Sequence, residues 1–410
     1  MVVAVVAPGQ GAQKPGFLTP WLELPDAKAQ LSWWSQLAGM DLLRIGTTAD
    51  ATEIKDTAKT QPLLVAAGVL TARQLPMDGV SVVAGHSVGE ITAAELAGVL
   101  SAEAAIALAV RRGAEMAAAC AAESTGMSAV LGGDPETVIE SIAAVGLVAA
   151  NRNSAGQVVA AGSLAALTEL ARHPPPRTRV IPLEVAGAFH TPAMQSAQDA
   201  LELFTTGITV NDPHKIMVSN ADGAAVHTGR GTLSRLVAQL TKPVRWDLCQ
   251  ACLADLGVTA IIELPPAGTL VGLARRELKG IELLAVNTPD DLVAARALIA
   301  RHGEPSSEPS QQFQVAVAPV AGIFEPTAIA EGDPISRTNA LGVVRTRQGE
   351  TPVTAPGVGV LAEWLADAGD PVTVGQPLAR VQAQSDLDIP DFGVTNFGAI
   401  PAMTAERTLA

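Results

Sequence analysis

Short, wholly apolar runs that end in glycine turns recur through the first 300 residues. Val2–Ala7 runs into Pro8-Gly-Gln-Gly-Ala-Gln13, and Ser81-Val-Val-Ala-Gly85 runs into His86-Ser-Val-Gly-Glu90. Beyond the second turn, Ile91–Leu100 carries its apolar residues at helical spacing. Val258–Leu264 repeats the theme, followed by Pro265-Pro-Ala-Gly268 and a helical pattern over Thr269–Arg276. A strand without polar alternation is buried on both faces, and strand, glycine turn and helix in succession is the unit of a parallel sheet covered by helices. An α/β fold with a parallel-sheet core is predicted.

Residues 125–190 follow another order. Met127–Leu131, Gly146–Asn151, Gln157–Gly162 and Thr178–Val185 read as strands. Helices are predicted over Asp134–Ala143, with Asp134 a candidate N-cap, and over Leu164–Arg172. The succession β-α-β-β-α-β is ferredoxin-like, which predicts a small subdomain, 125–190, inserted between core segments 1–124 and 191–303. Glu304-Pro-Ser-Ser-Glu-Pro-Ser-Gln-Gln312 is a polar, Pro/Ser-rich run that reads as a linker. Residues 313–383 alternate short apolar strands with Gly/Pro turns, and 384–410 gives no clear signal and is expected to be disordered.

Composition sharpens this picture. The 410 residues suit two to three domains at about 150 residues each. Aromatic residues make up 3% and Tyr is absent, so the core must rest on Ala, Val, Leu and Ile. A net charge of −14 argues against a nucleic-acid binder, because neutralising phosphates takes a surplus of Lys and Arg. Residues 304–410 hold 13 acidic and five basic side chains, so more than half of that excess lies there and residues 1–303 are only mildly acidic. Three cysteines, Cys120, Cys249 and Cys252, exclude a disulfide scaffold and suit a reducing compartment. Cys249 and Cys252 form one C-x-x-C with no second pair, which favours helix packing over a metal site. No apolar run is long enough to span a membrane and Met1–Ala7 is too short for a signal sequence, so a soluble cytoplasmic protein is expected.

The chemistry begins at Gly85-His-Ser-Val-Gly89, which fits G-x-S-x-G with a strand before it and a helix after it. Such a turn lifts the Ser87 hydroxyl above the strand end and aims the Val88 amide at a developing oxyanion. A serine needs a base at neutral pH. Of the six histidines, His302 borders the linker, His173 precedes three prolines, and His214 and His227 lie in polar loop-like sequence. His86, inside the turn, is expected to pack or bond locally. His190 remains, after the apolar run Val185–Phe189, although its surroundings alone suit a structural histidine as well.

Five motifs decide the matter. Pro8–Gln13, Gly85–Glu90, Arg111-Arg-Gly113, Gly187-Ala-Phe-His-Thr-Pro192 and Gln239-Leu-Thr-Lys-Pro-Val-Arg-Trp246 resemble, in order and spacing, those of malonyl-CoA:acyl-carrier-protein transacylases. The likeness covers residues 1–303 and extends to acyltransferase domains of polyketide and fatty-acid synthases. It implies a hydrolase-like α/β core with a ferredoxin-like insert, malonyl-CoA as substrate, acyl carrier protein as partner, and no covalent cofactor or metal. It also implies roles. Ser87 is then the nucleophile and His190 the base, with the side-chain carbonyl of Gln239 orienting the imidazole. The amides of Gln10 and Val88 form the oxyanion hole. Arg112 grips the malonyl carboxylate, a residue that without the resemblance reads as a solvated helix-face charge. Phe189 leaves little room for an α-methyl branch, Gln61 lies beside the pocket, and Asn151 and Asn153 face the coenzyme, though both also suit turns. In place of the family's Gly-Pro-Gly loop stands Pro265-Pro-Ala-Gly268, which predicts a reshaped loop on the coenzyme side. Arg172, Arg177, Arg179, Lys242, Arg245, Arg275, Arg276 and Lys279 are candidates for a patch receiving an acidic carrier.

Val317-Ala-Pro-Val-Ala-Gly-Ile-Phe324, Glu331-Gly-Asp-Pro-Ile335, Ala355-Pro-Gly-Val-Gly-Val-Leu361 and Ala368-Gly-Asp-Pro-Val372 form two similar halves. They resemble a biotinyl/lipoyl domain, a flattened all-β sandwich. The modified lysine of that family falls on Gln348, and 304–410 contains no lysine, so the resemblance implies a degenerate module for docking or assembly, or a structural appendage. Two alternative functions stay open from sequence: a serine thioesterase or esterase using the same turn, and a scaffold subunit acting through the C-terminal β domain.

Overall fold

The computed structural model describes residues 1–303, 313–336 and 338–383. The linker 304–312 and the tail 384–410, named above, lie outside the described residues. The chain divides into two compact units, one formed in the main by residues 1–303, the other by strands of the C-terminal part.

In the first unit the elements run β1 (Val2–Ala7), α1 (Ala27–Ala38), α2 (Leu42–Thr48), α3 (Thr57–Ala72), β2 (Val82–Gly85), α4 (Gly89–Leu96) and α5 (Ala102–Ala122). The insert follows with β3 (Thr125–Gly132), α6 (Pro135–Ala144), β4 (Val148–Ser154), β5 (Gln157–Ser163), α7 (Leu164–Arg172) and β6 (Thr178–Pro182). The core resumes with α8 (Gln195–Thr205), β7 (Ile216–Val218), β8 (Ala225–Val226), α9 (Gly229–Ala238), α10 (Trp246–Asp255), β9 (Val258–Glu263), α11 (Thr269–Glu277), β10 (Glu282–Ala285) and α12 (Asp291–His302).

Six strands form the core sheet in the order β10-β9-β1-β2-β7-β8. Every neighbouring pair is parallel except β7–β8. Strand β1 shows why its sequence lacks polar alternation. Val3, Val5 and Ala7 enter the core on one face, and Ala4 and Val6 the core on the other. The insert's four strands are ordered β4-β5-β3-β6 with antiparallel neighbours, the ferredoxin-like arrangement. Asp134 caps α6 by accepting from the Thr137 amide.

Several element ends differ from expectation. The strand expected over Gly146–Asn151 runs Val148–Ser154, because Gly146 takes φ +76° and the Gly146 and Leu147 amides turn back to Ala143 and Ile142, closing α6. The helix expected over Ile91–Leu100 stops at Leu96, because Gly98 takes φ +76° and the Gly98 and Val99 amides turn back to Glu95 and Ala94. The strand expected over Thr178–Val185 stops at Pro182. The Leu183 amide still pairs with Met127, but Val185 folds back onto Leu183.

The regular elements among the described residues from 313 to 383 are all strands: β11 (Phe313–Val317), β12 (Gly322–Pro326), β13 (Pro334–Ile335), β14 (Ala340–Thr346), β15 (Gly349–Thr354), β16 (Gly359–Trp364), β17 (Pro371–Val372) and β18 (Pro377–Ala383). They form two four-stranded sheets, β11-β18-β16-β13 and β15-β14-β12-β17. Phe324, Leu341, Val344, Leu361 and Val381 are fully buried. Gln348 sits in the two-residue turn between β14 and β15.

Candidate active site

The turn from β2 to α4 puts Ser87 at φ +53°, in the left-handed region that a serine rarely adopts. Two glycines make it feasible. A Cβ on Gly85 would lie 2.0 Å from the Gly89 main chain, and one on Gly89 would lie 2.2 Å from the Ala7 carbonyl. Strand and helix therefore approach closely only without side chains. The Ser87 amide donates to Asn220 Oδ1 at 2.8 Å, which braces the turn from the end of β7.

His190 reaches this serine from the segment that follows β6. Its own φ is +60°, held by the Ala188 amide donating to Thr125 Oγ1 and the Thr191 hydroxyl donating to the Ala188 carbonyl. Ser87 Oγ and His190 Nε2 are 2.8 Å apart, and His190 Nδ1 lies 2.8 Å from the main-chain oxygen of Gln239. A carbonyl only accepts, so Nδ1 carries the proton and Nε2 presents its lone pair to the Ser87 hydroxyl. Burial, with the Arg112 charge second, pushes the His190 pKa down to about 3, keeping the ring neutral and ready to accept.

The expected orienting group is thus corrected from the side chain of Gln239 to its main chain. Gln239 closes the C-terminus of α9, where carbonyls lack helical partners. Its side-chain oxygen is already taken, accepting from Arg112 Nη2 at 3.0 Å.

Arg112, on α5, is 2% exposed, so the reading of a solvated helix-face charge is overturned. Nη1 donates to Gln61 Oε1 at 2.7 Å, and Nη2 lies 3.3 Å from Ser87 Oγ. Desolvation lowers its pKa to about 10, leaving it charged at neutral pH. A buried guanidinium thus faces Ser87 with no carboxylate paired to it among the described residues, an arrangement able to receive an anionic group.

A cavity of about 270 Å³ opens over Ser87 and His190. Gln10, Phe189, Asn151 and Asn153 all line it, together with Leu270 and Leu273 of α11. Asn151 and Asn153 lie on β4 rather than in turns. Asn153 Oδ1 is engaged by His86 Nε2 at 2.9 Å, whereas Asn151 Oδ1 is buried without a partner among the described residues. Expected to pack or bond locally, His86 bonds instead to Asn153 of the insert, its ring packed edge-on against Trp246. Neither the Gln10 nor the Val88 amide is engaged by an acceptor among the described residues, so both can face an oxyanion.

A model of the acyl transferase domain family matches residues 5–297. A malonyl CoA-acyl carrier protein transacylase of Mycobacterium tuberculosis (strain ATCC 25618 / H37Rv) is 53% identical over 296 residues, covering 71% of this chain and 98% of that protein. The protein of the same name from Mycolicibacterium smegmatis is 55% identical over 283 residues, covering 67% and 98%. The chain belongs to the malonyl CoA-acyl carrier protein transacylase family. Among solved structures, MCAT from Mycobacterium tuberculosis superposes with a TM-score of 0.71 at 52% identity, covering 72% of this chain and all of that one. A type II PKS acyl-carrier protein in complex with its malonyl-transacylase gives 0.69 at 30% identity, covering 73% and 100%.

Three features of this chain escape the motif reading. Asn220, fully buried, joins the Ser87 amide to the Gly85 carbonyl, to which its Nδ2 donates at 2.8 Å. Glu90, inside a quoted motif but given no role, is 2% exposed behind Gln239 and Asn220. A carboxylate in the otherwise apolar start of α4 was its available signal; Asn220 offered none. Thirdly, the loop Pro265–Gly268 turns at one glycine. Gly268 takes φ +138°, and the buried Glu263 carboxylate accepts from the Gly268, Leu270 and Val271 amides at 2.9 Å each, closing the start of α11. Of the eight basic patch candidates, Arg245 is paired with Asp247, and the other seven are exposed. Among the described residues no cluster of His, Cys, Asp or Glu is placed to hold a metal ion, and no helix is long and apolar enough to cross a membrane.

Proposed function

We propose that the chain transfers a malonyl group from malonyl-CoA to the pantetheine thiol of acyl carrier protein, for fatty-acid or polyketide synthesis, in the cytoplasm. The observation that carries this reading is the buried Arg112 guanidinium 3.3 Å from a serine that is itself 2.8 Å from a neutral histidine. A plain esterase needs no buried cation there.

Ser87 Oγ attacks the malonyl thioester carbonyl while its proton passes to His190 Nε2. The oxyanion of the tetrahedral intermediate is received by the Gln10 and Val88 amides. As the C–S bond breaks, the imidazolium returns that proton to the departing CoA sulfur, leaving malonyl-Ser87. The carrier's thiol then attacks the ester, giving its proton to His190, which passes it to Ser87 Oγ as the ester C–O bond breaks. Arg112 holds the malonyl carboxylate throughout, and an acetyl group would leave the guanidinium unpaired. Phe189 disfavours an α-methyl branch by about 1–3 kcal/mol. Gln61 supports Arg112, and Asn151 and Asn153 line the coenzyme's path. The domain assignment is core 1–124 and 191–303 with insert 125–190.

Mass spectrometry of the protein incubated with malonyl-CoA should show malonyl-Ser87, discharged on adding purified carrier protein. Malonyl labelling that survives Ser87→Ala, or free malonate as the main product, would refute the assignment.

Residues 313–383 are read as a biotinyl/lipoyl-like sandwich lacking its lysine, with a docking or assembly role. The position of Gln348 in the β14–β15 turn supports this. Co-expression with a biotin or lipoyl ligase should leave its mass unchanged.

A further inference from the structure

Glu90 is a buried carboxyl that the reaction above does not use. Its Oε1 accepts from the Asn220 amide at 2.7 Å, and its Oε2 accepts from Gln239 Nε2. The other end of that same amide, Gln239 Oε1, accepts from Arg112 Nη2 at 3.0 Å. Carboxylate, amide and guanidinium thus lie in line, and the Gln239 amide is fixed in orientation because a carboxylate can only accept and a guanidinium only donate.

We propose that Glu90 is a positioning residue for malonyl recognition: through Gln239 it aims Arg112 in the free enzyme, and it takes up a proton when a malonyl carboxylate engages that arginine. The inference rests on Arg112 being the malonyl receptor, as proposed above. The physical reason is charge balance in a dry site. With no substrate, Arg112 attracts Glu90 across one amide; a bound malonyl carboxylate meets that positive charge and adds a negative one beside Glu90. Two carboxylates then share one guanidinium, and the one without water protonates.

The other charged groups around Glu90 do not replace Arg112. Arg235, on α9, is tied to Asp222 at 2.6 Å. Cys249, on α10, is pushed well up by burial and stays a thiol. His190 is neutral, and Glu95 on the same helix interacts with Arg73 and Glu103. Desolvation already raises the Glu90 pKa to about 7, so its proton balance is responsive near neutrality.

The sign follows from linkage. Binding that takes up a proton weakens as pH rises, by up to about tenfold in Kd per pH unit above neutrality. Calorimetry of malonyl-CoA binding to the Ser87→Ala protein, at pH 8 in two buffers of different ionisation enthalpy, reads the uptake directly. The expected result is a fractional proton taken up with malonyl-CoA, none with acetyl-CoA, and none with malonyl-CoA once Glu90→Gln is added. No uptake, equal uptake with acetyl-CoA, or uptake that persists in Glu90→Gln overturns the proposal. If Glu90→Gln does not fold, the infrared difference spectrum of Ser87→Ala on binding malonyl-CoA decides. A new carboxylic-acid C=O band supports the proposal and its absence overturns it. A wild-type enzyme that forms malonyl-Ser87 without proton uptake on binding sinks the role of Glu90 alone; one that never forms malonyl-Ser87 sinks the function as well.

Discussion

At the scale of single residues, the site separates two jobs that one glutamine performs with different atoms. The main-chain oxygen of Gln239 holds His190, and its side-chain oxygen holds Arg112. Gln239→Ala should therefore leave the base working. Any transfer of acetyl groups should change by less than about threefold, while malonyl transfer should lose about tenfold or more through the freed guanidinium. Parallel kinetics with both thioesters measure this, and equal losses would restore the side chain as the orienting group. Arg112→Ala should cost malonyl transfer about 3 kcal/mol or more in kcat/KM, with acetyl transfer little affected. The pH profile follows from His190. Its pKa is lowered, so the neutral, accepting form persists as pH falls through 6.5 and is lost only toward about 3. The acid limb of kcat/KM for Ser87 acylation should lie well below 6.5; a limb at 6.5 would mean a solvated imidazole. Stability has the opposite tendency, because the unfolded chain binds that proton across this window and the folded one does not, so the fold weakens as pH drops from 6.5 toward 3.

At the scale of elements, much was readable in the sequence, for identifiable reasons. The six segments of the insert have clear periodicity and short turns, and Leu164–Arg172 matches its helix end to end because Ser163 caps it and His173 leaves helical geometry. Ser87 was legible because strand, glycine turn and helix must occur together around it. The identity of Gln239 was readable but not which of its atoms acts, since that depends on where α9 ends. Glu90 and Asn220 were not legible as a pair: they lie 130 residues apart and meet only because β7 docks beside β2. The junction of β2 and α4 also has a severe steric demand. Gly89→Ala would drive a methyl into the Ala7 carbonyl and should destabilise the protein by at least about 3 kcal/mol, read as a lower denaturation midpoint at unchanged slope.

At the scale of the whole molecule, the family model ends at residue 297, and the relatives are matched over nearly their full length by the first 300 residues or so. A chain ending at residue 303 should accordingly keep its kcat/KM for malonyl transfer to a purified carrier protein. A large loss would assign the C-terminal strands a part in catalysis. The charge distribution agrees with this division. The catalytic part holds 22 of the 27 basic residues, including the exposed Arg177, Arg179, Arg275 and Arg276, so a net charge of −14 for the chain does not prevent it from receiving an acidic partner.

The packing of Trp246 against His86 has an optical consequence. With no Tyr in the chain, ultraviolet emission comes almost wholly from five indoles, and this one is buried against His86, the residue before Ser87, its ring centroid 5.8 Å from the imidazole. The protein therefore carries a native fluorophore in contact with the residue preceding the proposed nucleophile, Ser87. Rapid-mixing fluorescence can follow loading and unloading of Ser87 on an unlabelled enzyme.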